Sequence, residues 1–116
     1  LVRSDGTYVR DYIYVKDVAL AYMGLADALS RDEVQGEAFN FGNEAPITVM
    51  QMVERIQDLM DCSQVKPKVL ARATGEIHSQ YLSNAKAQEV LNWSPAYELD
   101  AGLVETISWY RDFLAS

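Results

Sequence analysis

Residues 4–22, SDGTYVRDYIYVKDVALAY, change period halfway along, and the fold class turns on that change. Asp5-Gly6 marks a turn, because glycine accepts positive φ and the aspartate side chain bonds locally to the backbone. Tyr8 to Val15 is rich in β-branched and aromatic residues in near alternation, so a short strand is expected there. From Asp17, read as an N-cap or a first-turn acid, the apolar positions Val18, Tyr22, Leu25, Ala26 and Leu29 recur at helical spacing. They predict a helix to about Ser30 with that face on the core.

Outward from this stretch the chain keeps alternating between the two periods. Gly36 closes the connection, and Glu37 to Gly42 (EAFNFG) alternates as a second strand. Thr48 followed by Gln51 is a capping-box pattern, opening a helix from Val49 to about Met60 with Val49, Met52, Val53, Ile56, Leu59 and Met60 on its apolar face. Val65 to Ala71 reads as an extended edge segment, since Pro67 would forfeit a ladder bond in a central strand. Asn84 is placed to cap a helix from Ala85 to Leu91, and Pro95 breaks the chain. A last helix from Leu99 to Leu114 is amphipathic through Leu103, Ile107, Tyr110 and Leu114. Four helices and about three short strands make residues 1–116 one α/β (α+β) unit, with no repeat, low-complexity tract or linker dividing it. The chain starts at Leu1 without methionine and runs straight into a turn, so it is expected to be a piece of a longer protein.

Composition narrows the function. Half of the 116 residues are apolar (49%) and 23% are charged, which is globular composition, and a chain of this length can bury roughly two thirds of its unfolded surface. Ten basic against seventeen acidic residues give a net charge of −7. That field repels polyanions and argues against nucleic acid or an anionic membrane as partner, while leaving room for a small phosphorylated ligand held by one or two local cations. The single cysteine, Cys62, cannot form an internal disulfide, and with one histidine, His78, no Cys/His zinc site can be assembled. A reducing, cytoplasmic setting is expected. No apolar run approaches the roughly 18 residues of a membrane span. Asn92-Trp93-Ser94 matches a glycosylation acceptor, which that setting makes irrelevant, and Trp93 before Pro95 reads as packing.

Few motifs carry chemistry. Tyr12 and Lys16 have the spacing of a catalytic pair on a helix, but on an extended segment four residues separate them by roughly 13 Å, so no catalytic role is expected. Arg10-Asp11 places two charges inside an apolar strand, where an unpaired buried charge is costly. Arg10 is therefore either paired with a carboxylate of the chain, which its residue context alone favours, or offered as a planar donor fork to phosphate oxygens. Asn40, between Phe39 and Phe41, is expected to be buried with partners on both amide atoms, as a structural clamp or a ligand contact. Glu76, His78, Gln80 and Tyr81 cluster just before a helix, suited to hydroxyl and phosphate recognition or simply to a solvated loop. His78 has no visible acid to act with as a general base. A glycine-rich phosphate loop, a G-x-G-x-x-G turn, a nucleophile elbow and a metal-ligand cluster are all missing.

The string SDGTYVRDYIYVKDVALAY, followed in order by GEAFNFGNEAPITVMQMVERI, GEIHSQYLSNAKAQEVLNWSP and LDAGLVETISWYRDFL, resembles the C-terminal, substrate-binding part of extended short-chain dehydrogenases, the NAD-dependent epimerase/dehydratase family. The resemblance covers almost the whole chain, and GEI-x-x-QYLS looks most like CDP-glucose 4,6-dehydratases among the nucleotide-sugar 4,6-dehydratases. It implies a lyase fragment that is not active alone. The implied reaction passes hydride from sugar C4 to NAD, eliminates water across C5–C6 and returns the hydride to C6. A Rossmann domain outside this chain would bind NAD and carry the catalytic residues, so none is expected here. A nucleotide-diphosphate sugar would be the ligand, with Arg10 on the diphosphate and Asn40, Glu76, His78 and Tyr81 as further substrate contacts. The full-length protein would be a homodimer, and the isolated piece is expected to self-associate through surface bared by the missing domain. Two departures stand out: Ala73 lies where relatives carry an arginine, with Arg72 one place off, and His78-Ser79 replaces the arginine pair of dTDP-glucose dehydratases, which argues against that substrate. The alternatives are an epimerase of the same family and a non-catalytic helical interaction module.

Overall fold

The computed structural model describes residues 1–116. Its elements in chain order are β1 (Val9–Arg10), α1 (Val15–Ala28), β2 (Ile47–Thr48), α2 (Val49–Leu59), β3 (Ser79–Gln80), α3 (Ala85–Leu91) and α4 (Leu99–Ala115). The three strands form one sheet in the order β2-β1-β3, β1 lying antiparallel to β2 and parallel to β3. Four helices and three short strands are the expected content, and the class is α/β. No helix is long and apolar enough to cross a membrane.

The strand expected over Tyr8–Val15 contracts to Val9–Arg10, because its partners on both sides are only two residues long and the chain enters α1 at Val15. The turn before it forms as read: Gly6 has φ +92° and the Thr7 amide donates to Asp5 Oδ1 at 2.9 Å. Asp17 is not the N-cap of α1, which is Tyr14, but the acid of its first turn. Its fully buried carboxylate accepts hydrogen bonds from the amides of Ala96 (2.8 Å) and Tyr97 (3.2 Å), so it clamps the chain just past Pro95.

The inward face of α1 is rotated from the expected one. Asp17, Ala21 and Ala28 are buried and Val18 and Leu25 half-buried, while Tyr22, Ala26 and Leu29 face solvent. Small residues set this choice: Ala21 meets Ala87 of α3 and Trp93 in a buried apolar cluster, with Ile13, Phe39, Phe41 and Leu91 around it. Phe41 meets the Trp93 ring edge-on, 4.9 Å between centroids.

The segment Glu37–Gly42, expected as a strand, pairs with nothing. Its alternation is real and serves to place Phe39 and Phe41 on the core, but no strand lies alongside it. The strands β2 and β3 fall instead in segments too short to show alternation. Thr48 caps α2 as predicted, its hydroxyl accepting from Gln51 while the Gln51 side chain accepts from the Thr48 amide. Val65–Ala71 is extended and joins the N-terminus through a parallel bridge between Val2 and Val69. Asn84 precedes α3 without capping it: the side chain, 1% exposed, donates to the Gly42 carbonyl, and its Oδ1 has no partner. In α4, Leu103 and Ile107 are half-buried, but Tyr110 and Leu114 are exposed because the helix runs out beyond the elements it packs on.

The result is a slab of 53 × 38 × 21 Å in which 13 of 116 residues are buried. Its radius of gyration is 17.0 Å, against about 13 Å for a compact domain of this length.

Candidate functional site

β1 is the central strand, paired on both sides, so its neighbours on β2 and β3 decide what surrounds its side chains. Asp11 turns inward. Its Oδ2 accepts from the amides of Asn43 (2.8 Å) and Glu44 (3.0 Å), and its Oδ1 from Ala45 (3.2 Å), so the carboxylate is spent on holding that loop. The loop passes close: a Cβ on Gly42 would lie 2.6 Å from Asp11 Oδ2.

Arg10, next to it, has no carboxylate partner. Five of the ten cations pair with acids, namely Arg3 with Glu76, Lys16 with Glu105, Arg31 with Glu33, Arg55 with Asp100 and Lys86 with Glu37. Arg10 instead donates from Nη1 to the carbonyls of Val9 (2.7 Å) and His78 (3.2 Å), and its guanidinium carbon sits 5.7 Å from the centre of the Tyr8 ring. The internal ion pair that its residue context favoured is not formed, because the adjacent carboxylate is consumed by backbone amides. A half-buried guanidinium with donors to spare is suited to anionic oxygens.

β3 brings His78 to the same place. The Val9 amide donates to the His78 carbonyl at 2.8 Å, and the His78 ring packs on Tyr8 at 5.0 Å between centroids. Its Nε2 is 3.0 Å from Thr7 Oγ1, its Nδ1 3.1 Å from Ser79 Oγ, and the Thr7 hydroxyl is 2.7 Å from Asp5 Oδ1. A carboxylate only accepts, so the Thr7 proton goes to Asp5, leaving the Thr7 oxygen to accept from Nε2–H of the imidazole. The Thr7 amide and hydroxyl together hold Asp5 below the usual carboxylate range, with His78 adding a smaller pull. Asp5 is an acid reaching His78 through Thr7, a partner that sequence spacing did not reveal.

Arg10, Asp11, Phe41, Gly42, Gln80, Tyr81 and Leu82 line a hollow of about 230 Å³. Of the residues singled out in the sequence, the fold brings Arg10, Gln80 and Tyr81 to this hollow, while His78 meets Arg10 only through its backbone carbonyl. Glu76 lies just before β3 with its carboxylate on Arg3. Asn40 is not buried as expected; it is exposed on the unpaired segment and makes no side-chain hydrogen bond. Gln80, read in the polar cluster, is the register partner of Arg10, whereas Tyr8 and Thr7 were not anticipated as site residues. The signal for them was the pairing of β1 with β3 across about 70 residues, which no local pattern carries.

Lys16 takes no part in this edge. It lies 2.5 Å from Glu105 Oε2, over the rings of Tyr14 and Tyr97, and not with Tyr12. The Tyr14 hydroxyl donates to the same carboxylate at 2.8 Å. Hydrogen bonds from Lys16 and then Tyr14 hold Glu105 below its ordinary value, and the Glu105 bond raises both Lys16 and Tyr14. A separate cavity of about 280 Å³ lies between α2, α4 and residues 12–14, lined mostly by apolar side chains with Glu98 as its only charged residue. It offers nothing to a phosphate.

No family model matches the chain. It is similar to human UDP-glucose 4-epimerase, 31% identical over 93% of this chain and 30% of that protein. Among solved structures, the UDP-glucose 4-epimerase of Thermotoga maritima with UDP-glucose superposes with a TM-score of 0.82 at 30% identity, over 97% of this chain and 35% of that one. The dTDP-glucose 4,6-dehydratase of Bacillus anthracis in complex with NAD gives 0.81 at 26%, over 96% and 34%. The chain spans about a third of the length of the proteins it matches. Those proteins are nucleotide-sugar epimerases and dehydratases, and the fold of the chain is that of the matched third.

Proposed function

We propose that this chain is the nucleotide-sugar-binding part of an NAD-dependent nucleotide-sugar epimerase or 4,6-dehydratase working in the cytoplasm. The observation that carries the reading is Arg10: a guanidinium on the central strand, without a carboxylate partner in an acidic chain, opening on a hollow that Gln80 and Tyr81 line together with the amide-bound Asp11. Its role is to clamp the diphosphate by charge-assisted hydrogen bonds, the fork matching phosphate geometry. His78, Tyr81 and Glu76 supply contacts to ribose and base from the β3 side, and Asn40 from the unpaired segment.

The 116 residues do not themselves fit NAD. β2 passes into α2 through the capping Thr48, and β1 into α1 through Asp11–Tyr14; neither connection holds a glycine that would let a backbone approach a pyrophosphate. On this reading the cofactor is held by another part of the protein, and the share of this chain is binding energy and orientation.

Two reactions fit. The GEIHSQYLS stretch supports a CDP-glucose 4,6-dehydratase. The similarity to UDP-glucose 4-epimerases over more than nine tenths of the chain favours a 4-epimerase acting on a UDP-sugar. Calorimetry with UDP and CDP tests both the site and the base. Arg10→Ala is expected to weaken binding by about 1.5–3 kcal/mol, the range for hydrogen bonds to charged groups; unchanged affinity removes Arg10 from the site.

A further inference from the structure

β1 and β3 run parallel, with Val9 beside Ser79 and Arg10 beside Gln80. Side chains alternate between the faces of a strand, so Tyr8 and Arg10 project from the same side of β1. The guanidinium carbon of Arg10 lies 5.7 Å from the centre of the Tyr8 ring, inside the roughly 6 Å reach of a cation–π contact. The ring of Tyr8 meets both Arg10 and His78, and its hydroxyl enters neither contact.

A guanidinium carries its five N–H donors in one plane. Both protons of Arg10 Nη1 are taken, by the carbonyls of Val9 (2.7 Å) and His78 (3.2 Å). Nη1 is the terminal nitrogen on the side of the aliphatic stem. Anchoring it leaves the Nε and Nη2 protons, the side-on fork that grips two oxygens of one anionic group. The two carbonyls hold only one corner of the plane, and the longer of these bonds is exposed, so water competes for it. The rest of the plane is held by the Tyr8 ring.

That ring is itself braced. His78 packs on it with 5.0 Å between centroids, and both imidazole nitrogens are engaged, Nε2 by Thr7 and Nδ1 by Ser79. Thr7 in turn is tied to Asp5 through its hydroxyl and its amide. A line of contacts runs from Asp5 in the first turn through Thr7, His78 and Tyr8 to Arg10. Neither ring belongs to the apolar cluster around Ala21, Ala87 and Trp93, so the stack serves Arg10 and not the core.

We propose that Tyr8 is the positioning residue of Arg10: a plate, braced by His78, that holds the guanidinium with its Nε–Nη2 fork free for a phosphate. The proposal deepens the reading above and rests on it for the ligand, a nucleoside diphosphate. A mobile arginine loses side-chain entropy when a ligand orders it. A guanidinium ordered beforehand has already lost it, so Tyr8 contributes to affinity without touching the ligand.

The test reads the Arg10 side chain by NMR in the 116-residue chain, free and titrated with UDP and CDP. The ring current of Tyr8 should displace the Arg10 Nε–H resonance. Tyr8→Leu should return it to the position of a solvated arginine, and Tyr8→Phe should restore the wild-type position. Tyr8→Leu should weaken binding of the preferred nucleotide by about 3- to 10-fold, with Tyr8→Phe again restoring it. Thr7→Val releases His78 without altering either ring, and should give a smaller loss in the same direction. An Arg10 resonance that stays in place in Tyr8→Leu overturns the proposal, since a merely structural tyrosine would lower the urea midpoint and leave that resonance alone. Wild-type affinity in Tyr8→Leu beside lost affinity in Arg10→Ala overturns it too. Should Tyr8→Leu not fold, wild-type affinity in Thr7→Val does the same. Equal affinity in the wild-type chain and Arg10→Ala, or binding by neither, overturns the reading of the site itself and the proposal with it.

Discussion

Asp17 and Arg10 sit at the two ends of one short stretch, and the fold treats their charges in opposite ways. Asp17 is buried without a cation and is satisfied by two backbone amides of a distant loop. Asp11 repeats the device on the loop after Phe41, with three amides. Arg10 is half-buried beside these acids and receives neither. The acids are structural, spent on backbone donors that would otherwise go unsatisfied. The base is held only by two carbonyls and a ring face, and a charge without a countercharge is where an anionic ligand is expected.

Breaking the acid side of this comparison should cost the most. Asp17→Ala strands the amides of Ala96 and Tyr97 and should destabilise the chain by about 2–4 kcal/mol, read from urea unfolding midpoints. Gly42→Ala pushes a methyl against the Asp11 carboxylate and should cost about 1–3 kcal/mol, with the amides of Asn43 to Ala45 exchanging faster. Arg10→Ala should cost less than Asp17→Ala, about 1–2 kcal/mol of stability, since of the two bonds to carbonyls it removes one is exposed. A large loss there would make Arg10 a structural residue and erase the contrast.

The smallest effect concerns the Lys16–Glu105–Tyr14 group, which is exposed. Glu105 is held below its ordinary value of 4.5, so what it contributes is complete above that pH and is lost as pH falls through its lowered folded value. Lys16 is held above 10.5, so its share is complete below that pH and is lost as pH rises through its raised folded value. The difference in unfolding midpoint between the wild-type chain and Glu105→Gln should therefore be flat from about pH 6 to 9 and close below about pH 4. A difference that changes across the neutral range would place another titrating group in the cluster.

Local signals in the sequence were reliable where one segment decided the outcome. The Thr48–Gln51 capping box, the Asp5-Gly6 turn, the four helices and the packing of Trp93 follow from residues within a few positions of each other. Where a partner far along the chain decides, the signal failed. The inward face of α1 was set by Ala87, which let two helices approach at Ala21, and so the larger Tyr22 and Leu29 turned out. Asn40 was expected to be buried, but with Phe39 and Phe41 on the core the alternation turns it outward, and the buried asparagine is Asn84. For the site, Arg10 was visible as a charge in an apolar run, but its lack of a carboxylate was not. That depends on three amides of residues 43–45 taking Asp11, and on β3 delivering the His78 carbonyl.

The most direct measurement is an amide and guanidinium NMR titration of the 116-residue chain with UDP, CDP, GDP and dTDP. The account predicts shifts centred on Arg10, His78, Gln80 and Tyr81, strongest for one base and absent in Arg10→Ala. Resonances of that edge unmoved by all four nucleotides at millimolar concentration, in a well-dispersed spectrum, would contradict it.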